Sequence, residues 1–230
     1  MTTTTNYKGF LFDLIIYIAV MFLIREVSIP NTSFIVNGLF WSITTLVVAS
    51  WRMKIRGVSW KDLGLIKPTS IKKTLIHTGV ILATIIISLL IFNIIKDHIP
   101  FFAEKVLDTK ITTEPTSSKF GNLKGNWLLF LTIMPMVLIE SFLEELLDRG
   151  FLINWFEKLF SKTSMATLLA VLLQAAIFGF RHSYDLSERS ITVGIIGLIM
   201  GIAYVKFGRN LWPLIIAHCV LNTLSMIDRV

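Results

Sequence analysis

The chain has 230 residues, of which 54% are hydrophobic and only 16% are charged, and its formal net charge is +7. Soluble domains contain about 25% charged residues, so this composition excludes an ordinary water-soluble domain. The single cysteine, Cys219, excludes an intrachain disulfide and a metal cluster built from thiolates.

Long apolar stretches follow one another along the chain. A bilayer core about 30 Å thick needs roughly 20 apolar residues for each helical span. The stretches that meet or approach this length lie at about 10–24, 33–51, 74–95, 127–147, 164–180, 191–205 and 211–227. They are continuous rather than alternating, which disfavours a β-barrel. The sequence therefore predicts an all-α polytopic integral membrane protein, a bundle of about seven transmembrane helices enclosing a polar cavity, with residues 1–230 as one domain.

The basic residues favour one orientation in the membrane. Seven of them lie in the connection between the second and third spans: Arg52, Lys54, Arg56, Lys61, Lys67, Lys72 and Lys73. Short connections rich in Lys and Arg stay in the cytoplasm, which predicts a cytoplasmic N-terminus and places the C-terminus and the long connection 96–125 on the other side. This distribution is typical of a membrane protein and disfavours nucleic acid as a partner. Residues 51–68 could lie in the membrane interface or form an ordinary basic loop.

Two further features concern packing. Asp13 in the first span is interpreted as a carboxylate that faces the bundle or the membrane interface. In the sixth span, Gly194, Gly197 and Gly201 include two small residues four positions apart, which allows a close approach between helices.

The segment ESFLEELLDRGF (140–151) places five ionisable residues in an apolar helix: Glu140, Glu144, Glu145, Asp148 and Arg149. Each such residue costs at least ~2.5–3.5 kcal/mol near the centre of a span, so it must pair, face a cavity or serve a function. Residues four apart share a helix face, which predicts an ion pair between Glu145 and Arg149 that holds the helix end. Glu144 has only further acids at helical spacing and is therefore the carboxylate free for chemistry.

Three polar residues of two later spans complete a candidate site. His182 ends the segment FGFRH, and His218 and Asn222 lie four residues apart in HCVLN. Singly, each could be an interfacial histidine, a core histidine or an amide that joins two helices. Together with Glu144 they can activate water: the glutamate takes a proton, while His and Asn stabilise an oxyanion or bind a metal. Ser141, Ser183 and Cys219 lack the surroundings of a nucleophile, and no HExxH motif is present.

The three motifs resemble those of a known family. EELLDR (144–149) fits EExxxR, FGFRH (178–182) fits FxxxH, and HCVLN (218–222) fits HxxxN. This pattern is similar to that of the CPBP or Abi family, which contains the CAAX prenyl endopeptidases and bacteriocin-processing or self-immunity proteins. The resemblance covers about 60–226, including the segment WKDLGL, and its motifs lie within 140–226.

The resemblance implies an intramembrane endopeptidase that hydrolyses a peptide bond of a membrane-associated protein or peptide. It assigns the catalytic roles to Glu144, His182, His218 and Asn222, and supporting roles to Glu145, Arg149 and Phe178. Zinc bound by Glu144, His182 and His218 is an open alternative to metal-free activation of water. Richness in Ile, Lys and Asn favours a multi-pass protein of a bacterial cytoplasmic membrane, with a leader or pheromone peptide as substrate.

Two alternatives remain at this stage. The first is a non-proteolytic role in bacteriocin self-immunity, or as a scaffold that regulates a partner membrane protein. The second is an ion or proton transporter, which the absence of repeated halves disfavours.

The predicted span ends also raise a geometric problem, because they place Glu144 and His182 toward opposite membrane faces. We therefore expect Pro135 to kink or restart the fourth helix, which would then run from about 135 to 160.

Overall fold

The fold is described by a computed structural model covering residues 7–98 and 120–230, and most of the connection predicted at 96–125 lies outside these residues. The described helices are α1 Tyr7–Leu23, α2 Phe34–Ile55, α3 Ile71–Ile95, α4 Trp127–Leu159, α5 Ala166–Phe180, α6 Glu188–Lys206 and α7 Trp212–Ile227. Short 3₁₀ turns at Ile24–Glu26 and Lys96–His98 extend α1 and α3.

The prediction of a polytopic helical bundle is confirmed. Five of the described helices are long and apolar enough to cross a membrane, namely α1 with its 3₁₀ extension, α2, α3, α4 and α6. The other two, α5 and α7, are shorter apolar helices. The residues that the structure describes contain no strand.

Helix α4 is longer than predicted. It has 33 residues, begins at Trp127 and continues to Leu159, so the predicted end near residue 147 is wrong. Pro135 lies inside the helix, so the predicted restart there is also wrong, whereas the continuation to about residue 160 is confirmed. The helix continues because Phe151 and Trp155, beyond the charged cluster, are fully buried in the bundle core.

The middle of α4 departs from α-helical geometry. Residues Glu145–Ile153 form a π-helix and are all buried. Such segments are rare and usually occur as single turns, frequently at functional sites. Glu145 and Arg149 therefore lie in the interior of a long helix, and the prediction that they hold a helix end is wrong.

One end of the bundle is rich in basic residues, and we call it the basic end. It comprises the start of α1, the end of α2, the start of α3, the end of α4 and the turn between α6 and α7. Its basic residues are Lys8, Arg52, Lys54, Arg56, Lys61, Lys67, Lys72, Lys73, Lys158, Lys162, Lys206 and Arg209.

Residues 56–70 at the basic end form a packed loop. The backbone N–H of Leu211 donates to the Gly64 carbonyl at 3.0 Å, and the Tyr204 hydroxyl donates to the Leu63 carbonyl at 2.9 Å. Gly64 has a φ of +98°, and a Cβ atom there would lie 1.8 Å from the Arg209 carbonyl oxygen. The WKDLGL segment therefore fixes the α2–α3 connection against the turn between α6 and α7.

The other end of the bundle, here the opposite end, joins the remaining helix termini. Lys96 after α3 forms an ion pair of 2.6 Å with Glu188 at the start of α6. The Arg25 guanidinium after α1 donates to the Arg181 carbonyl after α5 at 3.3 Å. The N–H of Gly125, just before α4, donates at 2.6 Å to the carbonyl of Val230, beyond α7. The helices therefore alternate in direction, as successive membrane spans do.

Asp13 joins three helices, which confirms that its carboxylate faces the bundle. It is fully buried and accepts hydrogen bonds from Arg52 Nε at 2.8 Å, Arg56 Nε at 2.7 Å and Trp155 Nε1 at 3.1 Å. A buried carboxylate is tolerated when cations and donors compensate its charge, so Asp13 fixes α1 against α2 and α4.

Helices α5 and α6 approach each other closely through glycine. A Cβ atom on Gly179 would lie 2.9 Å from Gly194 Cα and 2.5 Å from the Ser190 carbonyl oxygen. Further along α6, Gly197 faces Phe178 and Gly201 faces Val171. The predicted role of the α6 glycines in close packing is confirmed, and it brings the end of α5 against α6.

Candidate active site

Glu144 lies in the middle of α4, next to both predicted histidines. Its Oε1 atom is 3.9 Å from His182 Nε2, and its Oε2 atom is 3.5 Å from His218 Nε2. The two histidines come from the end of α5 and from α7. The structure therefore brings together the three residues that the sequence places on three separate spans.

A cation on another helix occupies the acidic face of α4. Arg181 Nη2 donates to Glu144 Oε1 at 3.0 Å and to Asp148 Oδ2 at 2.7 Å. Its side chain is 5% exposed, so this bridge between two carboxylates lies inside the protein. Glu144 has no cationic partner at helical spacing within α4, as predicted, but the inference that this leaves it free of a cation is wrong, because Arg181 contacts it.

The ring of His182 is oriented by the backbone of its own helix. Its Nδ1 atom lies 2.6 Å from the Phe178 carbonyl oxygen, which can only accept a hydrogen bond. Nδ1 therefore carries the proton, and in the neutral ring Nε2 is an acceptor. This acceptor faces the Glu144 carboxylate, so the two groups can hold one water molecule between them.

His218 lies between two glutamates. Its Nδ1–H donates to Glu145 Oε1 at 2.7 Å, and Nε2 faces Glu144. The same Glu145 oxygen accepts from Arg149 at 3.0 Å, so the predicted Glu145–Arg149 ion pair is present and fully buried. Glu145 also orients a catalytic candidate, which the spacing within one helix does not show.

Asn222 is held by a serine of α4. Its Nδ2 atom donates to Ser141 Oγ at 2.8 Å, and Ser141 donates to the Val137 carbonyl at 2.8 Å. The hydroxyl proton of Ser141 is thus committed to the backbone, which agrees with the interpretation that this serine is not a nucleophile. It positions the Asn222 amide beside the cavity.

Phe178 lies behind the polar groups. Its ring lies under the guanidinium groups of Arg149, at 4.3 Å, and Arg181, at 5.2 Å. The ring centroid is 4.6 Å from that of His182. A buried aromatic face attracts cations, so Phe178 supports both arginines and one histidine from a single position.

A cavity of about 450 Å³ leads from these residues to the opposite end of the bundle. Its inner part is lined by Glu140, Glu144, His182, His218 and Asn222. Its outer part contains an aromatic wall in which Phe34 contacts Trp41 and Phe120 edge to face. Each end of this wall carries a guanidinium group, since Arg25 lies over Trp41 and Arg229 over Phe120.

The part of the chain that carries these residues matches a family of known proteins. Residues 126–224 match the family model described as type II CAAX prenyl endopeptidase Rce1-like. The predicted family resemblance is confirmed. The match covers α4 to α7 and all three motifs, but less than half of the chain, and WKDLGL lies outside it. No curated protein and no solved structure matches the chain.

The residues of the Rce1-like segment do not fit a zinc ion in this arrangement. In residues 7–98 and 120–230, no group of three or more His, Cys, Asp or Glu side chains is placed to hold a metal. Glu144 Oε1, one of the predicted ligand atoms, already accepts a hydrogen bond from the Arg181 cation. No catalytic step below is routed through a metal, and the zinc alternative stays a prediction.

Two residues of the Rce1-like segment were missed as site residues. Arg181 stands directly before His182. It is the cation that compensates the charge of Glu144 and Asp148 on the acidic face of α4. Ser141 lies one residue after Glu140 and orients Asn222. The sequence contains a signal for Arg181, namely three acids on one helix face without a cation; it contains none for Ser141.

Proposed function

We propose that the protein is an intramembrane endopeptidase that uses a water molecule activated by Glu144. The observation that carries this proposal is the distance of 3.9 Å between Glu144 Oε1 and His182 Nε2. Both atoms accept hydrogen bonds, and a water molecule between them would donate one to each. The Rce1-like match supports proteolysis at the level of the family.

In the proposed reaction, Glu144 takes a proton from the water while the water oxygen attacks the peptide carbonyl carbon. The carbonyl π-electrons move to oxygen and form an oxyanion. When the C–N bond breaks, Glu144 passes the proton to the leaving nitrogen, so an amine and a carboxylic acid are released. General-base catalysis of this kind contributes typically 10²–10⁴-fold.

His218 and Asn222 are proposed to stabilise the oxyanion. His218 donates through Nδ1 to Glu145, so it can donate through Nε2 as well only in its doubly protonated form. The carboxylates of Glu144 and Glu145 lie on its two sides. One N–H of the Asn222 amide donates a hydrogen bond to Ser141 Oγ, which leaves the second N–H to donate to the substrate.

The proposed substrate is a membrane-associated protein or peptide, such as a leader or pheromone peptide. The cavity of about 450 Å³ has the size of a small-ligand site. It therefore fits a short extended segment of peptide, while the rest of the substrate stays outside.

Replacing Glu144 with Gln tests the proposal. We expect Glu144→Gln to lower cleavage by at least ~10²-fold, because the amide cannot take the proton. Glu157→Gln is the matched control, since it makes the same change on the same helix at the basic end and should retain activity. Cleavage of candidate peptides by purified, membrane-inserted variants is the measurement.

A cellular phenotype that survives in Glu144→Gln would contradict the enzyme as its cause and favour the scaffold or self-immunity alternative.

Chelation tests the zinc alternative separately. Because Arg181 occupies Glu144 Oε1, we expect cleavage to persist in a strong chelator and the purified protein to contain no stoichiometric metal. Metal analysis and the cleavage rate before and after dialysis against chelator are the measurements. Loss of activity that zinc alone restores would show that a metal takes the place of the guanidinium.

A further inference from the structure

Three arginines line the outer part of the catalytic cavity, which we call the mouth. They are Arg25 after α1, Arg189 at the start of α6 and Arg229 after α7. None of them forms an ion pair with an acidic side chain of residues 7–98 and 120–230. Glu26 adds a negative charge to the same lining, so positive charge exceeds negative charge at the mouth. Other acids at this end do not line the cavity, namely Asp185, Glu188 and Asp228.

Arg25 lies next to the catalytic candidates and is held there without a carboxylate. It is half-buried, and its guanidinium lies 5.4 Å from the centroid of the Trp41 ring and 5.5 Å from that of Tyr184. Its Nη1 atom donates to the carbonyl of Arg181, the residue before His182, at 3.3 Å. The other N–H groups of a guanidinium can bind a carboxylate in the same plane. Arg25 is therefore a preorganised group for binding an anion beside the candidate active site.

Arg229 lies at the far end of the aromatic wall. Its guanidinium is 5.3 Å from the centroid of the Phe120 ring. The ring of Phe34 contacts both Phe120 and Trp41, the ring that holds Arg25. Guanidinium groups at the two ends of this wall fit a peptide with several acidic side chains better than one with a single terminal carboxylate.

The inner part of the cavity contains acidic side chains instead. Glu140 and Glu144 line it, and the Arg181 cation beside them is already bound to two carboxylates. Like charges placed together are unfavourable, so an acidic side chain of a substrate is disfavoured here and favoured at the mouth. The charge distribution therefore selects an uncharged segment for the inner part and acidic residues next to it along the peptide.

We infer that the mouth binds two or more acidic side chains of the substrate, while an uncharged segment beside them enters the inner part. The inference names a substrate class, a membrane-associated peptide with Asp or Glu next to the scissile segment, and so rests on the proposed function. Arg25 contributes most to this specificity, because it is half-buried and oriented, whereas Arg189 and Arg229 are exposed.

Peptide binding to the full chain in phosphatidylcholine nanodiscs tests the inference. The probe is an amidated peptide with an uncharged fluorophore, six uncharged residues and three glutamates placed first or last. The same peptide with three glutamines is the comparison, and fluorescence anisotropy is the measurement. We expect the glutamate peptide to bind more tightly. Arg25→Gln should weaken its binding by roughly tenfold or more and Arg25→Lys by less, because only the first removes a charge-assisted hydrogen bond.

Arg229→Gln changes an exposed residue and keeps the test valid if Arg25→Gln does not fold. It should weaken binding of the glutamate peptide about two- to fivefold. Lys124→Gln is the matched control, since it removes one positive charge from an exposed residue at the same end that does not line the cavity. This control should bind the glutamate peptide as tightly as the wild type.

Equal binding of the two peptides, or equal losses in Lys124→Gln and Arg229→Gln, would overturn the inference. No preference for glutamate, together with retention of phosphatidylglycerol that Arg25→Gln and Arg229→Gln abolish, would overturn it in favour of a lipid headgroup.

The cleavage rate separates this inference from the proposed function. Cleavage that is lost in Glu144→Gln, but does not depend on the glutamates or on the arginines of the mouth, would overturn the inference and leave the proposed function intact. Glutamate-dependent binding at the mouth, with cleavage in Glu144→Gln at the wild-type rate, would support the inference and overturn the proposed reaction.

Discussion

Arg181 determines how the acids of α4 coexist inside the bundle. The sequence places Glu140, Glu144 and Asp148 on one helix face, an arrangement that is costly for buried like charges. The guanidinium from α5 contacts two of the three. It compensates their charge and binds Glu144 through Oε1, so that Oε2 is not held by Arg181. Arg181 therefore contributes both to stability and to the arrangement of the site.

Removing the Arg181 charge should therefore destabilise the protein strongly. Arg181→Met would leave two buried carboxylates without their cation, which typically costs 3–5 kcal/mol. Arg209→Met is the matched control, since Arg209 pairs with Glu157 but is 36% exposed. Loss of such an exposed pair costs about 1 kcal/mol or less. Thermal unfolding in detergent measures both variants, and equal losses would contradict the role of Arg181.

Contacts within one helix could be predicted from the sequence, whereas contacts between helices could not. The Glu145–Arg149 pair follows from a spacing of four residues and is present. The contacts of His218 with Glu145 and of Asn222 with Ser141 depend on how α7 packs against α4. Spacing determines which face of a helix a residue occupies, but it does not determine which helix covers that face.

At the scale of the helices, composition predicted their number better than their ends. Six of the seven predicted spans lie within a few residues of the helices α1–α3 and α5–α7. The fourth was cut short because the charged cluster at 144–149 looked like the end of a span. In the structure that cluster is buried by neighbouring helices, so its polarity marks an internal site. Nothing in the sequence distinguishes the π-helical stretch Glu145–Ile153 from an α-helix.

The close approach of α5 and α6 gives a prediction for Gly179. A methyl group there would meet backbone atoms of α6 at 2.5 and 2.9 Å, so α5 must shift. We expect Gly179→Ala to cost roughly 1–3 kcal/mol, as overpacking does. Cleavage should fall as well, because His182 follows three residues later. Thermal unfolding and the cleavage rate are the measurements.

Gly79→Ala in α3 is the matched control. Nothing lies within 4 Å of a Cβ atom at that position, so the variant should be neutral or slightly stabilised. Unchanged stability and cleavage in Gly179→Ala would show that α5 does not need glycine at this contact.

In residues 7–98 and 120–230, the seven helices are an odd number, so Tyr7 and Val230 lie at different ends of the bundle. The described helices alternate between the basic end and the opposite end, and α7 finishes at the opposite end. We expect a fluorescent protein that folds only in the cytoplasm to report when fused before Met1 but not after Val230. An alkaline phosphatase fused after Val230, which is active only after export, should report instead.

Cytoplasmic signals from both fusions would mean an even number of crossings. That result would identify α5 or α7, the two short helices, as a segment that enters the membrane without crossing it.

The shortness of α5 and α7 has a consequence for the lipid around the site. With 15 and 16 residues, they are only about 22–24 Å long at 1.5 Å per residue, against a hydrocarbon core of about 30 Å. A bilayer adapts to short apolar segments by thinning beside them, at a cost of fractions of a kcal/mol per Å. The short helices hold the candidate site: His182 follows the end of α5, and α7 carries His218 and Asn222. We therefore expect the bilayer to be thinner beside the candidate site than around the longer helices.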